Sequence, residues 1–172
     1  MLKNNYFRKF DKYFLIYLLI LAFCAIIFLY SKHTVGNDTS ISEWLINYEG
    51  GFTRRGIIGE ICFNLAQFFD VNLRYVIFLF QTFVYLIYLF SIYLLFSKIK
   101  NNIVTIFAIF TPIFLLYPVA EVEALGRKEI FLNIYFLSFL FLINPDSKYK
   151  KYSNIYIVFI TPIVCLIYEQ II

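Results

Sequence analysis

Two consecutive arginines, Arg54 and Arg55, follow a glycine pair in the segment 50–56, which reads GGFTRRG. An apolar helical pattern begins directly after them, which predicts that both arginines stand at a helix N-terminus. Free backbone amides and the positive end of the helix dipole attract anions there. Two guanidinium groups can also bind a phosphate or a carboxylate through paired hydrogen bonds. The spacing therefore indicates an anion site, in which close backbone approach is allowed by Gly50, Gly51 and Gly56.

A competing interpretation is that Arg54 and Arg55 only anchor the chain to anionic lipid headgroups. Against it, a cation at a helix N-terminus opposes the helix dipole. Glycine also weakens regular structure, so a cluster of glycines beside the arginines needs a reason. An anionic ligand that the backbone approaches closely would account for both features.

A second polar segment, 121–129, reads EVEALGRKE and joins two long apolar runs. Arg127 and Lys128 in this segment could bind the same anion, with Glu129 supporting them; the alternative is a solvated turn that only separates two spans. Glu169 lies within the last apolar run of the chain. A carboxylate inside a membrane span normally faces a polar cavity or a cation, so Glu169 favours a shared site.

The elements that position these residues are membrane spans. The chain of 172 residues is 62% hydrophobic and 15% charged, with a mean hydropathy of +0.77, and a soluble domain has about a quarter charged residues. We predict an all-α polytopic transmembrane helix bundle, forming a single transmembrane domain over residues 1–172. About five apolar runs approach the roughly 20 residues that a span needs: 14–30, 73–96, 103–120, 130–144 and 155–172.

The long first loop, residues 31–72, carries helical signals of its own. Ser40 and Glu43 fit a capping box, which predicts a short helix through Trp44 and Tyr48. Beyond Gly56, an amphipathic helix is predicted to lie in the membrane surface. Its apolar face would consist of Ile57, Ile58, Ile61, Cys62, Leu65, Phe68 and Phe69.

Basic residues near the chain start predict a cytoplasmic N-terminus, with residues 31–72 and 121–129 on the outer face. They flank spans and form no continuous stripe, so nucleic acid is not an expected partner. The three cysteines lack ligand spacing, and no metal site is predicted. Since no polar tail follows the last span, we expect that the natural chain continues beyond Ile172.

The stretch Trp44–Glu60, WLINYEGGFTRRGIIGE, resembles a signature of multi-pass membrane proteins encoded among bacterial surface-polysaccharide genes. Gly126–Glu129, GRKE, resembles a second shared block. The layout is also similar to that of GT-C glycosyltransferases, which take sugars from polyprenyl-phosphate carriers. The resemblance implies an enzyme in the bacterial inner membrane. By position it makes Asp38 or Glu49 the catalytic acid, and Arg54 and Arg55 ligands of the carrier phosphate.

One departure from the GT-C pattern is that no paired acids follow the first span; the only E-x-E is Glu121–Glu123. O-antigen polymerases, which also handle lipid-linked pyrophosphate with arginines on outer loops, are a close rival resemblance. Two non-enzymatic alternatives also remain open: a transporter or flippase component for lipid-linked glycans, and a structural subunit of an envelope complex. The expected partners are membrane lipid and a lipid-linked sugar, and the sequence identifies no cofactor.

Overall fold

A computed structural model describes residues 3–35, 39–53, 55–98, 107, 111, 116–122, 124–143 and 149–167 of the chain. Within these ranges the regular structure is helical, as the sequence predicts, and no β-strand occurs. The helices are α1 (Lys3–Val35), α2 (Thr39–Leu45), α3 (Gly56–Phe69), α4 (Leu73–Lys98), α5 (Tyr117–Ala120), α6 (Ile130–Ile143) and α7 (Ser153–Ile167). A 3-10 turn, Lys150–Tyr152, leads into α7.

Three helical segments are long and apolar enough to cross a membrane: Lys12–Val35, Leu73–Phe96 and Lys150–Ile167. They correspond to the first, second and fifth predicted spans. The fourth is a helix of 14 residues, which is about 21 Å long and shorter than the roughly 30 Å of a hydrocarbon layer. Most of the predicted span 103–120 lies outside the described residues.

Helices α1 and α4 pack side by side in opposite directions. The rings of Phe14 and Phe96 lie 4.2 Å apart at one end of the pair, and those of Tyr30 and Phe78 lie 5.8 Å apart at the other. Helix α6 packs on α4, and α7 packs on α6. Buried apolar side chains along these contacts form the core, among them Leu18, Leu29, Ile77, Tyr88, Ile92, Ile130 and Leu137.

Charged residues mark the two ends of the α1 span. Lys12 and Lys32 are about 20 residues apart, which corresponds to about 30 Å along the helix axis and to the thickness of the hydrocarbon layer. At the level of Lys32, Nε2 of His33 lies 2.9 Å from Oε1 of Gln81 on α4. We call this end of the bundle, together with the described residues of 39–72 and 116–129, the polar end.

The first loop differs from expectation in two details. Helix α2 ends at Leu45, so Tyr48 lies outside it. Helix α3 forms where an amphipathic helix is predicted, but its apolar side chains do not share one environment. The buried face carries mainly small residues, which allow close approach, together with one large one, Ile58. Four other large side chains are exposed, as expected for side chains that contact lipid. The buried set is Gly56, Ile58, Gly59, Cys62 and Ala66, and the exposed set is Ile61, Leu65, Phe68 and Phe69.

Candidate functional site at the polar end

The second polar segment is bound to the helices through the backbone of Gly126. Its N–H donates to the hydroxyl of Tyr85 at 2.8 Å. Its carbonyl accepts from Trp44 Nε1 at 2.5 Å and from Gln81 Nε2 at 3.3 Å. Gly126 has a φ of +95°, a conformation that a side chain would strain. The next carbonyl toward the N-terminus, that of Leu125, accepts from Lys32 Nζ at 2.8 Å.

Lys128 joins the two polar segments. Its side chain is 1% exposed, and its Nζ donates to the backbone carbonyl of Arg55 at 2.7 Å. Burial lowers the pKa of Lys128 to about 8, and the positive charge of Arg55 acts in the same direction, whereas Glu43 and Cys62 oppose it. The predicted phosphate ligand Lys128 therefore already has a protein acceptor, and its bond fixes the start of α3 beside the second segment.

Two arginines remain at least one third exposed around this junction. Arg55, the N-cap residue of α3, has its guanidinium 4.0 Å from the Glu43 carboxylate. Arg127 lies 3.7 Å from Glu129. These carboxylates offset part of the positive charge that the arginines place near a helix N-terminus. The side chains are 33% exposed for Arg55 and 48% for Arg127, so an anion from solution or from the membrane surface can reach both.

Glu49 lies on the exposed turn that precedes α3. The turn is closed by a hydrogen bond from the Gly51 N–H to the Tyr48 carbonyl at 3.0 Å. The N–H of Tyr48 donates to Oε2 of Glu60 at 3.0 Å, which ties the turn to α3. Gly51 has a φ of +111°, which explains a glycine there. A carboxylate at Glu49 is thus held at the polar end with access to solvent.

Gly56 and Gly59 are explained by internal packing. A Cβ on Gly56 would lie 2.4 Å from the Tyr48 ring, and one on Gly59 would lie 1.9 Å from the Ile46 carbonyl oxygen. Close approach of the backbone is thus confirmed at Gly56, but its partner is the first loop itself. Around Gly50 and Gly51 the space is open, so packing accounts for neither.

Several sequence predictions fall outside the described residues: those at Asp38, Arg54, Glu123 and Glu169. Of the other predicted residues, Arg55 and Lys128 are in direct contact, and Arg127 and Glu129 follow in the same segment. In the described part of the chain, no group of three or more His, Cys, Asp or Glu side chains is placed to hold a metal ion.

The sequence reasoning missed the residues that hold the two segments together. Trp44, which the sequence identified only as part of a short helix, is fully buried and donates to the second segment. Gln81 is also fully buried. Its position inside an otherwise apolar span could have indicated a buried polar contact, because polar residues in spans usually face protein partners. Glu43, interpreted as a capping residue, faces Arg55.

Comparison of the chain with family models, with curated proteins and with solved structures finds no match.

Proposed function

We propose that this protein transfers or polymerises sugars carried on a polyprenyl phosphate, at the outer face of a bacterial inner membrane, during surface polysaccharide synthesis. The observation that supports it is the docking of the two polar segments. The bond from Lys128 to the Arg55 carbonyl brings two partly exposed arginines of distant segments to one end of the bundle. A phosphate at the membrane surface is the ligand that suits such a pair.

In this proposal the arginines and the carboxylates have separate tasks. Arg55 and Arg127 bind the carrier phosphate and stabilise the negative charge that it gains as the sugar leaves. A carboxylate accepts the proton of the acceptor hydroxyl, which makes that oxygen a better nucleophile. Glu49 is the described candidate for this base because its turn is exposed; Asp38, the other candidate, rests on the sequence resemblance. Arg54 would act with Arg55 on the phosphate.

The test is the amount of surface glycan in cells that carry Arg55→Ala or Arg127→Ala. Charge-assisted hydrogen bonds contribute about 1.5–3 kcal/mol, so either variant is expected to lower the glycan about tenfold or more. Arg55→Ala keeps the carbonyl that Lys128 binds, so the two segments should stay docked and the protein level should not change. Lys151→Ala, an exposed basic residue near the start of α7, is the matched control.

Normal glycan in both arginine variants would contradict the proposal. A deletion strain separates the enzyme from a flippase component. An enzyme on the outer face leaves its lipid-linked precursor on the outer leaflet. Accumulation on the inner leaflet would instead indicate transport. Stable co-purification with a partner, together with normal glycan after both arginine changes, would indicate a structural subunit.

A further inference from the structure

A cup of about 290 Å³ opens at the polar end between α1 and α4. Its lining includes none of Arg55, Arg127 or Lys128. Its walls combine aromatic rings with polar and basic groups at the level where α1 leaves the hydrocarbon layer. The residues that matter here are Tyr30, His33, Asn72, Arg74, Tyr75 and Phe78.

Arg74 is the cation of this cup. It is exposed, and its position is set from two sides. Its backbone N–H donates to Oδ1 of Asn72 at 2.9 Å, and Nη1 of its side chain donates to the His33 carbonyl at 3.4 Å. A guanidinium has five N–H donors in a planar fork that matches the oxygens of a phosphate.

The aromatic rings line the cup on the side of the membrane. The ring of Phe78 lies 5.8 Å from that of Tyr30 and 6.4 Å from that of Tyr75. Both tyrosines are more than half exposed. Tyrosine favours the boundary between hydrocarbon and headgroups, so these rings place Arg74 at the depth where lipid phosphates lie.

An apolar groove of about 360 Å³ adjoins the cup between α3 and α4. Tyr75 lines both spaces. From Tyr75 the groove continues past Leu79 to Phe83, eight residues or about 12 Å along α4. These positions lie within the Leu73–Phe96 span, where lipid is the solvent. The groove therefore suits a hydrocarbon chain whose polar end lies in the cup.

We propose that the cup and the groove together form a binding site for one lipid phosphate, with the phosphate on Arg74 and the chain along α4. The site does not depend on the proposed sugar transfer, because none of its residues belongs to the Arg55–Arg127 site. Membrane phospholipid and a polyprenyl phosphate offer the same chemistry. The experiment below distinguishes these two sources.

The test uses the full chain, purified in a neutral detergent, and counts retained lipid by native mass spectrometry. Farnesyl phosphate and farnesol share one chain and differ only in the phosphate; dioleoyl phosphatidylglycerol represents bulk phospholipid. The wild type is expected to retain farnesyl phosphate in preference to farnesol. Arg74→Gln is expected to weaken farnesyl phosphate binding about tenfold or more and to leave farnesol binding unchanged. Lys151→Gln is the control for loss of a charge.

Tyr75→Ala provides a second test, because Tyr75 lines both the cup and the groove. It is expected to weaken both farnesyl phosphate and farnesol, whereas Tyr117→Ala, at an exposed tyrosine of α5, is expected to weaken neither. If Arg74→Gln does not yield folded protein, the comparison of Tyr75→Ala with Tyr117→Ala tests whether the cup and the groove bind the lipid.

Retention of farnesyl phosphate against an excess of phosphatidylglycerol would identify the carrier lipid, and equal retention of both would identify phospholipid; either result supports the site. Equal retention of farnesyl phosphate and farnesol by the wild type would overturn it. So would unchanged binding in Arg74→Gln, or equal effects of the two tyrosine variants. Because the readout is binding to purified protein, failure here is separate from failure of the glycan test.

Discussion

Lys128 is a buried ammonium group that serves to connect two segments. An isolated buried charge is costly, and here the cost is reduced by the Arg55 carbonyl and by the negative charge of Glu43. The sequence assigned Lys128 and Arg55 to one anion site, and the structure places the two residues in direct contact. The sequence could not predict the partner atom, because a backbone carbonyl has no side-chain signature and any residue type at position 55 would provide it.

The lowered pKa of Lys128 predicts a pH dependence of stability. An unfolded lysine titrates near 10.5 and the folded Lys128 near 8, so between these values the unfolded chain binds more protons. Stability therefore rises with pH across this window. We expect the free energy of unfolding of the wild type, relative to Lys128→Met, to be constant below about pH 8 and to increase from pH 8 to 10.5.

Thermal unfolding in detergent over this pH series measures the difference. Lys151→Met controls for removal of a lysine as such, because Lys151 is exposed and its replacement should leave the pH profile of the wild type unchanged. A constant difference between wild type and Lys128→Met from pH 8 to 10.5 would mean that the buried ammonium does not titrate there.

At the scale of elements, α3 demonstrates both the strength and the limit of sequence reasoning. Spacing of apolar residues correctly predicted a helix after Gly56, because the period of 3.6 residues is a local property. Which face of α3 packs against the protein, in contrast, is not set by the sequence of the helix itself. It depends on where the first loop runs, and that loop approaches α3 closely at two positions without a side chain, Gly56 and Gly59. Four of the five buried residues of α3 are therefore small, Ile58 being the exception, and hydrophobicity alone does not select such a face.

Alanine at position 59 tests this packing. Ala is a better helix former than Gly by about 1 kcal/mol, so on propensity alone Gly59→Ala would stabilise α3. Its Cβ, however, would lie 1.9 Å from the Ile46 carbonyl oxygen, and overpacking of this kind costs about 1–3 kcal/mol or more. We expect a lower unfolding temperature for Gly59→Ala and little change for Gly50→Ala, where the space is open. Equal behaviour of the two variants would argue against close packing of the loop on α3.

At the scale of the whole molecule, charge and hydropathy predicted the class of protein, and three long apolar helices support it. Local composition sufficed for these helices because each span must satisfy its backbone internally in lipid. The docking of the polar segments was out of reach, since it depends on single hydrogen bonds between residues far apart in the chain. The direction of the protein in the membrane is a property of the whole molecule, because it decides on which side of the membrane the spans place the docked polar segments.

The direction can be tested by labelling single cysteines in a variant without native cysteines. Glu49 and Arg127 belong to the polar end. Lys151 lies just before α7, at the end of the bundle opposite the polar end. Basic residues before the first span favour a cytoplasmic N-terminus, which places the polar end outside. We expect a membrane-impermeant maleimide to label Glu49→Cys and Arg127→Cys in intact spheroplasts, and Lys151→Cys only after lysis. Labelling of Lys151→Cys in intact spheroplasts, with protection of the other two, would reverse the direction and move the proposed phosphate chemistry to the cytoplasmic face.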